Sequence, residues 1–182
     1  FLSFIGDFAG PLEKISKRDS LTGLLNRRAL YSDTERLFKL VDGAGHPMAL
    51  MFADLDKFKV INDTHGHATG DVILRECAAI LRTATRDTDL VARFGGDEFV
   101  VVLPETSLKQ AEKVGRRLQR GVAAWAKAND LGLSITIGVG EAPTHGDSLG
   151  SLLSSVDAAL YHSKFKHGAG GIHVASAAAV AD

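Results

Sequence analysis

Cysteine, tryptophan and proline are scarce in this 182-residue chain: it holds one, one and four of them. The lone Cys77 sits in an apolar helical pattern and has no partner for an internal disulfide, which is compatible with a reducing cytoplasm. No stretch approaches the ~20 consecutive apolar residues of a membrane span. None reads as a secretory signal either. A charge of one sign is lacking as well. The 21 basic and 22 acidic side chains leave a formal net charge of -1. That argues against a general polyanion-binding surface such as a nucleic-acid groove, and leaves room for basic residues gathered locally around phosphates. There is no internal repeat. The chain opens on Phe1 rather than Met and is expected to be part of something longer. A cytoplasmic chain, or the cytoplasmic portion of a longer membrane-attached one, fits these absences.

What is present suits one domain with a proper core: hydrophobic residues make up 45% and mean hydropathy is +0.05. Phe1, Ile5, Phe8, Leu12 and Ile15 recur at coiled-coil spacing, interrupted at Gly10-Pro11. They read as a connecting helix over residues 1–18 that pairs with a partner chain, or as a frayed tail. Asn26 is placed to cap a helix from Arg27 to about Val41. Residues 48–53 form an apolar run, read as a buried central strand, and Asp54-Leu55-Asp56 follows at its end. An acid there is costly if buried alone, and strand ends are where α/β sheets bind ligands. Residues 62–71 read as a polar, turn-rich link into a helix. The pair His65 and His67 lacks the further ligands of a zinc site.

Arg93-Phe94-Gly95-Gly96-Asp97-Glu98-Phe99 lies between two runs rich in β-branched residues. It reads as a hairpin turned at the Gly-Gly pair, with positive φ available to both glycines. Asp97 and Glu98 are neighbours and must point to opposite faces, so one faces a ligand or both are merely solvated. Ser107 caps a helix running to about Ala128, a strand follows over 133–139, then a helix over 149–166 and a short strand over 172–174. The tail from Ala175 to Asp182 is small and apolar and is expected to be disordered.

The inner order is strand, helix, strand, strand, helix, strand. This predicts an α+β fold, a ferredoxin-like (βαββαβ) antiparallel sheet core flanked by helices. In that topology Asp54 and Asp97 converge at one sheet edge. Two close carboxylates repel unless a cation lies between them, and magnesium suits such ligands and brings phosphates with it.

Two stretches carry a resemblance. Asp19-Ser20-Leu21-Thr22-Gly23-Leu24-Leu25-Asn26-Arg27-Arg28 matches the D-x-L-T-G-L-x-N-R-R motif, and Gly95-Gly96-Asp97-Glu98-Phe99 the signature, of the GGDEF family, the diguanylate cyclases. The resemblance covers residues 19–174. It implies a nucleotide-cyclase palm that condenses two GTP into cyclic di-GMP and two pyrophosphates as a homodimer, driven by an upstream sensor. It implies Mg2+, with Mn2+ as the alternative, held by Asp54, Asp97 and the Leu55 carbonyl. Asp97 is then also the proton acceptor, and Lys59 steadies charge on the phosphates. Amides near Phe58 cradle the triphosphate, Asn62 and Asp71 read the guanine, His67 lines its pocket, and Lys164 reaches the triphosphate. Arg86 and Asp89 form the R-x-x-D inhibitory site for cyclic di-GMP, completed by Arg117 from a partner subunit. One departure stands out. The family's K-x-x-G-R-N ending appears here as Lys164-Phe165-Lys166-His167-Gly168-Ala169, without the arginine, so Lys166 or His167 would have to substitute. A weakly active receptor for cyclic di-GMP is therefore the competing expectation. A mixed-dinucleotide cyclase is disfavoured by Asp71, and a template-using palm by the lack of a basic groove.

Overall fold

The computed structural model describes residues 16–42 and 46–177. The heptad-like seam of residues 1–15 lies outside them, as do residues 178–182 of the predicted tail. Ala175, where that tail was placed to begin, is buried and donates its amide to the Val139 carbonyl at 2.8 Å.

Six strands form one mixed sheet. In chain order they are β1 (Leu25–Asn26), β2 (Met48–Asp56), β3 (Leu90–Arg93), β4 (Glu98–Pro104), β5 (Ser134–Ala142) and β6 (Gly171–Val174). Across the sheet they run β1-β3-β4-β2-β5-β6. The inner four strands are antiparallel and have the ferredoxin-like order, while β1 and β6 add parallel edges. Five helices cover the sheet: α1 (Arg27–Asp42), α2 (Phe58–His65), α3 (His67–Ala84), α4 (Leu108–Ala128) and α5 (Leu149–His167). No helix among the described residues is long and apolar enough to cross a membrane.

The parity of β2 divides the molecule into two cores. Successive strand residues point to opposite faces. Ala49, Met51, Ala53 and Leu55 join Phe99, Val101 and Leu103 in a core with α3 and α4. Met48, Leu50 and Phe52 join Val100 and Val102 in the other core, with Leu30 of α1 and Leu149, Leu152, Leu153, Val156 and Leu160 of α5. Because β2 is buried on both faces, its sequence is continuously apolar rather than alternating. Local chemistry sets the helix starts: Asn26 Oδ1 accepts the Ala29 amide at 2.9 Å, and Ser107 forms a capping box with Gln110.

Two local expectations are corrected. The predicted link over 62–71 is mostly helix, with α2 and α3 abutting at Gly66, whose φ is 85°. Buried Phe58 and Ile61 anchor that short helix, and Lys59, Asp63, Thr64 and His65 form its outer face. The hairpin does not turn on positive-φ glycines either. Gly95 and Gly96 are absent from the positive-φ glycines, and residues 94–97 make a longer loop closed by Phe94 and Gly95 amides on the Glu98 carbonyl, at 2.8 and 3.3 Å. Gly95 makes room instead for the Glu98 side chain: a Cβ there would lie 2.2 Å from Glu98 Oε2 and would push that carboxylate aside.

Phe99 of β4 is fully buried, with Ala53 of β2 and Arg93 of β3 as its cross-strand partners. Phe99→Ala is expected to cost about 3–5 kcal/mol in urea unfolding, whereas Val60→Ala, at an exposed position, should stay within about 0.5 kcal/mol.

Candidate functional site

At the end of β2 the even face turns from apolar to acidic. Asp54 and Asp56 follow Phe52 on the side covered by α5. Glu98 is the cross-strand partner of Asp54. Asp97 sits one residue earlier, at the hairpin tip, and its carbonyl accepts the Leu55 amide at 3.2 Å. The strand-end and hairpin-tip acids are thus neighbours, as the topology required. Burial pushes the Asp54 carboxyl above the usual aspartate range, and Asp97 and Asp56 push it further, against the pull of Lys164. Burial likewise raises Glu98, with Asp54, Asp97 and Asp157 adding to it and Arg27 opposing.

One ammonium answers this charge. Lys164, on the last turn of α5, donates to Asp54 Oδ1 and lies 3.1 Å from Asp56 Oδ1. Burial by itself would depress its pKa, but the two carboxylates more than compensate and hold it above the ordinary lysine value. Asp56 is 3% exposed and accepts from Ser134 Oγ at 2.7 Å and Thr136 Oγ1 at 2.8 Å. Sequence reading assigned Asp56 nothing. The signal was available: it stands two residues beyond Asp54 on the same strand face.

Beyond β2, Lys57 adopts a left-handed conformation with φ 61°, and the chain turns at once into α2. No side chain caps that helix, so the first-turn amides at Phe58 and Lys59 have no side-chain partner. Lys59 on α2 and His67 and Asp71 at the start of α3 are exposed. Asn62 is not: its Oδ1 is buried without a hydrogen-bond partner, and it lies where a Cβ on Gly70 would be, 1.9 Å away. Lys166 is exposed at the end of α5.

The hairpin tip is also held from the far side. Arg93 donates from Nε and Nη2 to the Gly96 carbonyl, at 3.1 and 2.8 Å, and from Nη1 to both oxygens of Asp19, at 3.3 and 3.4 Å. Asp19 in turn accepts the Thr22 amide and hydroxyl at 2.8 and 2.7 Å. A bridge between residues 19 and 93 leaves no mark in local sequence, and sequence reading missed it.

Arg86 and Asp89 lie at the other end of β3. The Arg86 amide donates to Asp89 Oδ2 at 2.7 Å, and Asp89 Oδ1 is buried without a partner. A cavity of about 370 Å³ opens there, lined by Arg86, Asp89, Thr106, Gln110, Lys113 and Arg117 among others. Burial raises the Asp89 pKa, with Arg86 and Arg117 opposing. Arg117 of the same chain also lines that cavity near Asp89, and its guanidinium donates to the Ala84 carbonyl.

A ferredoxin-like sheet whose central strand and neighbouring hairpin bring acids together at one edge has the layout of a nucleotide-cyclase palm. The comparisons give that class a family. The model described as "Diguanylate cyclase, GGDEF domain" matches residues 16–169. Response regulator PleD of Caulobacter vibrioides is 37% identical over 156 residues, covering 83% of this chain and 34% of that protein. Diguanylate cyclase DosC of Escherichia coli is 40% identical over 150 residues, covering 80% of this chain and 32% of that protein. The GGDEF domain of YfiN (TpbB) from Pseudomonas aeruginosa superposes with a TM-score of 0.78 at 33% identity, covering 86% of this chain and 99% of that one. The GGDEF domain of DgcB from Caulobacter crescentus, solved with c-di-GMP, gives 0.77 at 26%, covering 87% and 92%. The chain belongs to the GGDEF domain family. It spans about a third of the length of the curated relatives named here.

The Asp19 clamp predicts a pH signature. Burial alone would raise its pKa, but the Thr22 bonds and Arg93 bring it below the ordinary 3.8. A depressed carboxylate pKa stabilises the fold above the unfolded value, and that contribution fades as pH falls through the folded value. The gap in urea midpoint between the wild type and Asp19→Asn should therefore be widest near neutrality and shrink in acid. Midpoints taken between about pH 6 and pH 3 test it, and a gap that does not close contradicts the clamp.

Proposed function

We propose that this chain is a diguanylate cyclase domain that joins two GTP into cyclic di-GMP. The observation carrying the reading is the meeting of Asp54 and Asp97 where the Leu55 amide binds the Asp97 carbonyl. Those carboxylates and the Leu55 carbonyl are oxygen donors of the type magnesium takes, and Mn2+ would fit the same set. No group of three His, Cys, Asp or Glu fit for a metal occurs among the described residues. The remaining ligands would then come from phosphate and water, which is how magnesium is usually held. Bound there, the ion would supply Lewis-acid polarisation of the phosphoryl oxygens.

The chain's own residues do the rest. Asn62 offers a buried, unused amide oxygen to the N–H edge of guanine, and Asp71, one residue past Gly70, can accept from the same edge. His67 lines the rim. The amides of Phe58 and Lys59 and the ammonium groups of Lys59 and Lys164 hold the triphosphate. Asp97 accepts the proton of the ribose 3′-hydroxyl. That oxygen bonds to the α-phosphorus of the second GTP, and the bond to the departing pyrophosphate breaks. A second transfer in the opposite sense closes the ring. Each subunit holds one GTP, so two copies must face each other, and a connecting helix or upstream sensor would set how often they do.

Product inhibition belongs to the same reading. The cavity at Arg86, Asp89 and Arg117 pairs a guanidinium fork with a buried, unpartnered acceptor, which suits a guanine edge and a phosphate. A relative, DgcB, was crystallised with c-di-GMP. The missing arginine after Lys164 favours a second reading, a receptor that binds the product without making it.

Incubation with GTP and Mg2+ at a series of protein concentrations separates the two. Cyclic di-GMP, forming with a steep concentration dependence, is expected. Binding of added cyclic di-GMP with no product from GTP would establish the receptor instead. Asp97→Asn should lower turnover by about 10²–10⁴-fold. Gly70→Ala puts a methyl 1.9 Å from Asn62 Oδ1 and 2.9 Å from its Cγ, so Asn62 must move: KM for GTP should rise, and the overlap at this buried position should offset the helix-propensity gain in Tm. An unaltered KM there would remove Asn62 from the guanine site. Arg86→Ala should keep initial turnover and shift the product-inhibition curve to higher concentration.

A further inference from the structure

The inner stripe of α5, Leu149, Leu152, Leu153, Val156 and Leu160, ends one turn later in Lys164. The inner stripe of β2, Met48, Leu50 and Phe52, ends in Asp54 and Asp56. Helix and strand therefore deliver one ammonium onto two carboxylates where their apolar contact stops. The two acids are not equivalent. Asp56 has both oxygens engaged by Ser134 and Thr136, is almost wholly buried and faces no opening. Asp54 is partly exposed, and its carboxylate accepts from Lys164, whose side chain is itself 30% exposed.

We infer that Lys164 is a built-in counter-ion of the acidic site. Its ammonium occupies Asp54 until a divalent cation arrives together with a triphosphate, and Asp56 is the post that keeps it within reach. This rests on the reading of Asp54 and Asp97 as metal ligands. An ammonium and a divalent cation on the same carboxylate repel strongly in a half-buried setting. A cation alone must therefore push Lys164 off Asp54 and leave it on Asp56 alone, still close to the cation's charge. A cation carrying a nucleoside triphosphate brings its own acceptor, because the phosphates lie within the swing of a long, flexible lysine stem. Cation and nucleotide then bind as a pair, each strengthening the other by the same factor. The domain would ignore free divalent cations and respond to the nucleotide complex.

The test is Mn2+ binding followed by electron paramagnetic resonance, with and without the non-hydrolysable α,β-methylene analogue of GTP. Wild type, Lys164→Met, Lys164→Gln and Asp97→Asn are compared, with Tm recorded for each. In wild type the analogue should tighten Mn2+ binding. In both Lys164 variants Mn2+ alone should bind about tenfold tighter than in wild type, since removing one unit charge at contact distance is worth that much even with heavy screening. The analogue should then add less than it does in wild type. Mn2+ affinity that is unchanged or weaker in both Lys164 variants overturns the counter-ion role. Asp97→Asn tells the two readings apart. Loss of Mn2+ binding there, with no tightening in the Lys164 variants, overturns this inference alone. Undiminished Mn2+ binding in Asp97→Asn overturns the metal assignment, and this inference with it.

Discussion

Carboxylates that leave one strand on the same side repel each other, and β2 ends in two of them. Asp54 and Asp56 point the same way, Glu98 stands across from Asp54, and Asp97 is beside them at the hairpin tip. Much of the surrounding chemistry answers that crowding. The hydroxyls of Ser134 and Thr136 absorb the charge of Asp56, as a buried carboxylate requires. Lys164 bridges the pair from above. Arg27, seated over the ring of Phe94 at 4.4 Å, offers the nearest opposing charge to Glu98. The site is thus a concentration of negative charge that the fold tolerates through Lys164, the Ser134 and Thr136 hydroxyls and the opposing charge of Arg27.

The sheet makes such crowding mechanically affordable only where the strand cannot yield. β2 is paired along its length with β4 on one side and β5 on the other. Its end stays paired with β5 through Asp56, which opposes bending there. The hairpin tip is tied down by Arg93, which joins Gly96 to Asp19. The R-x-x-D pair lies at the opposite end of β3. A strand of four residues spans about 13 Å. The two candidate sites therefore share one short, rigid element, with Arg93 at one end of it and Asp89 just before the other.

How much of this was legible in the sequence depended on the range of the interaction. Patterns with a local period were read well: the central apolar run of β2, the Asn26 and Ser107 caps and the ferredoxin-like order all follow from residues a few positions apart. The convergence of Asp54 and Asp97 was legible once that order was written down, since topology alone places them together. Residues 62–71 were misread because a helix of eight residues offers only two turns of periodicity, too few to outweigh its polar face. The glycine pair was misread for a different reason. Gly95 is small to let the Glu98 side chain pass over it, and a side chain's path is not encoded in turn propensity. Arg93 with Asp19, and Lys164 with Asp56, join residues 74 and 108 positions apart, and no local signal announces such a pair.

Register and charge also specify one another. If β2 slipped by one residue against β4 and β5, every side chain on it would change face. Leu55 would then meet the ammonium of Lys164. Asp54 and Asp56 would enter the core formed by Leu74, Phe99, Leu118 and Ile137, where no cation is found among the buried residues. Burying two unpaired carboxylates costs several kcal/mol each, comparable with the whole stability of a domain this size. The acids that carry the chemistry consequently help to select the one strand alignment in which they can perform it. This also gives the buried Asp56 a role of its own: paired with Lys164, it favours the alignment that leaves Asp54 partly exposed.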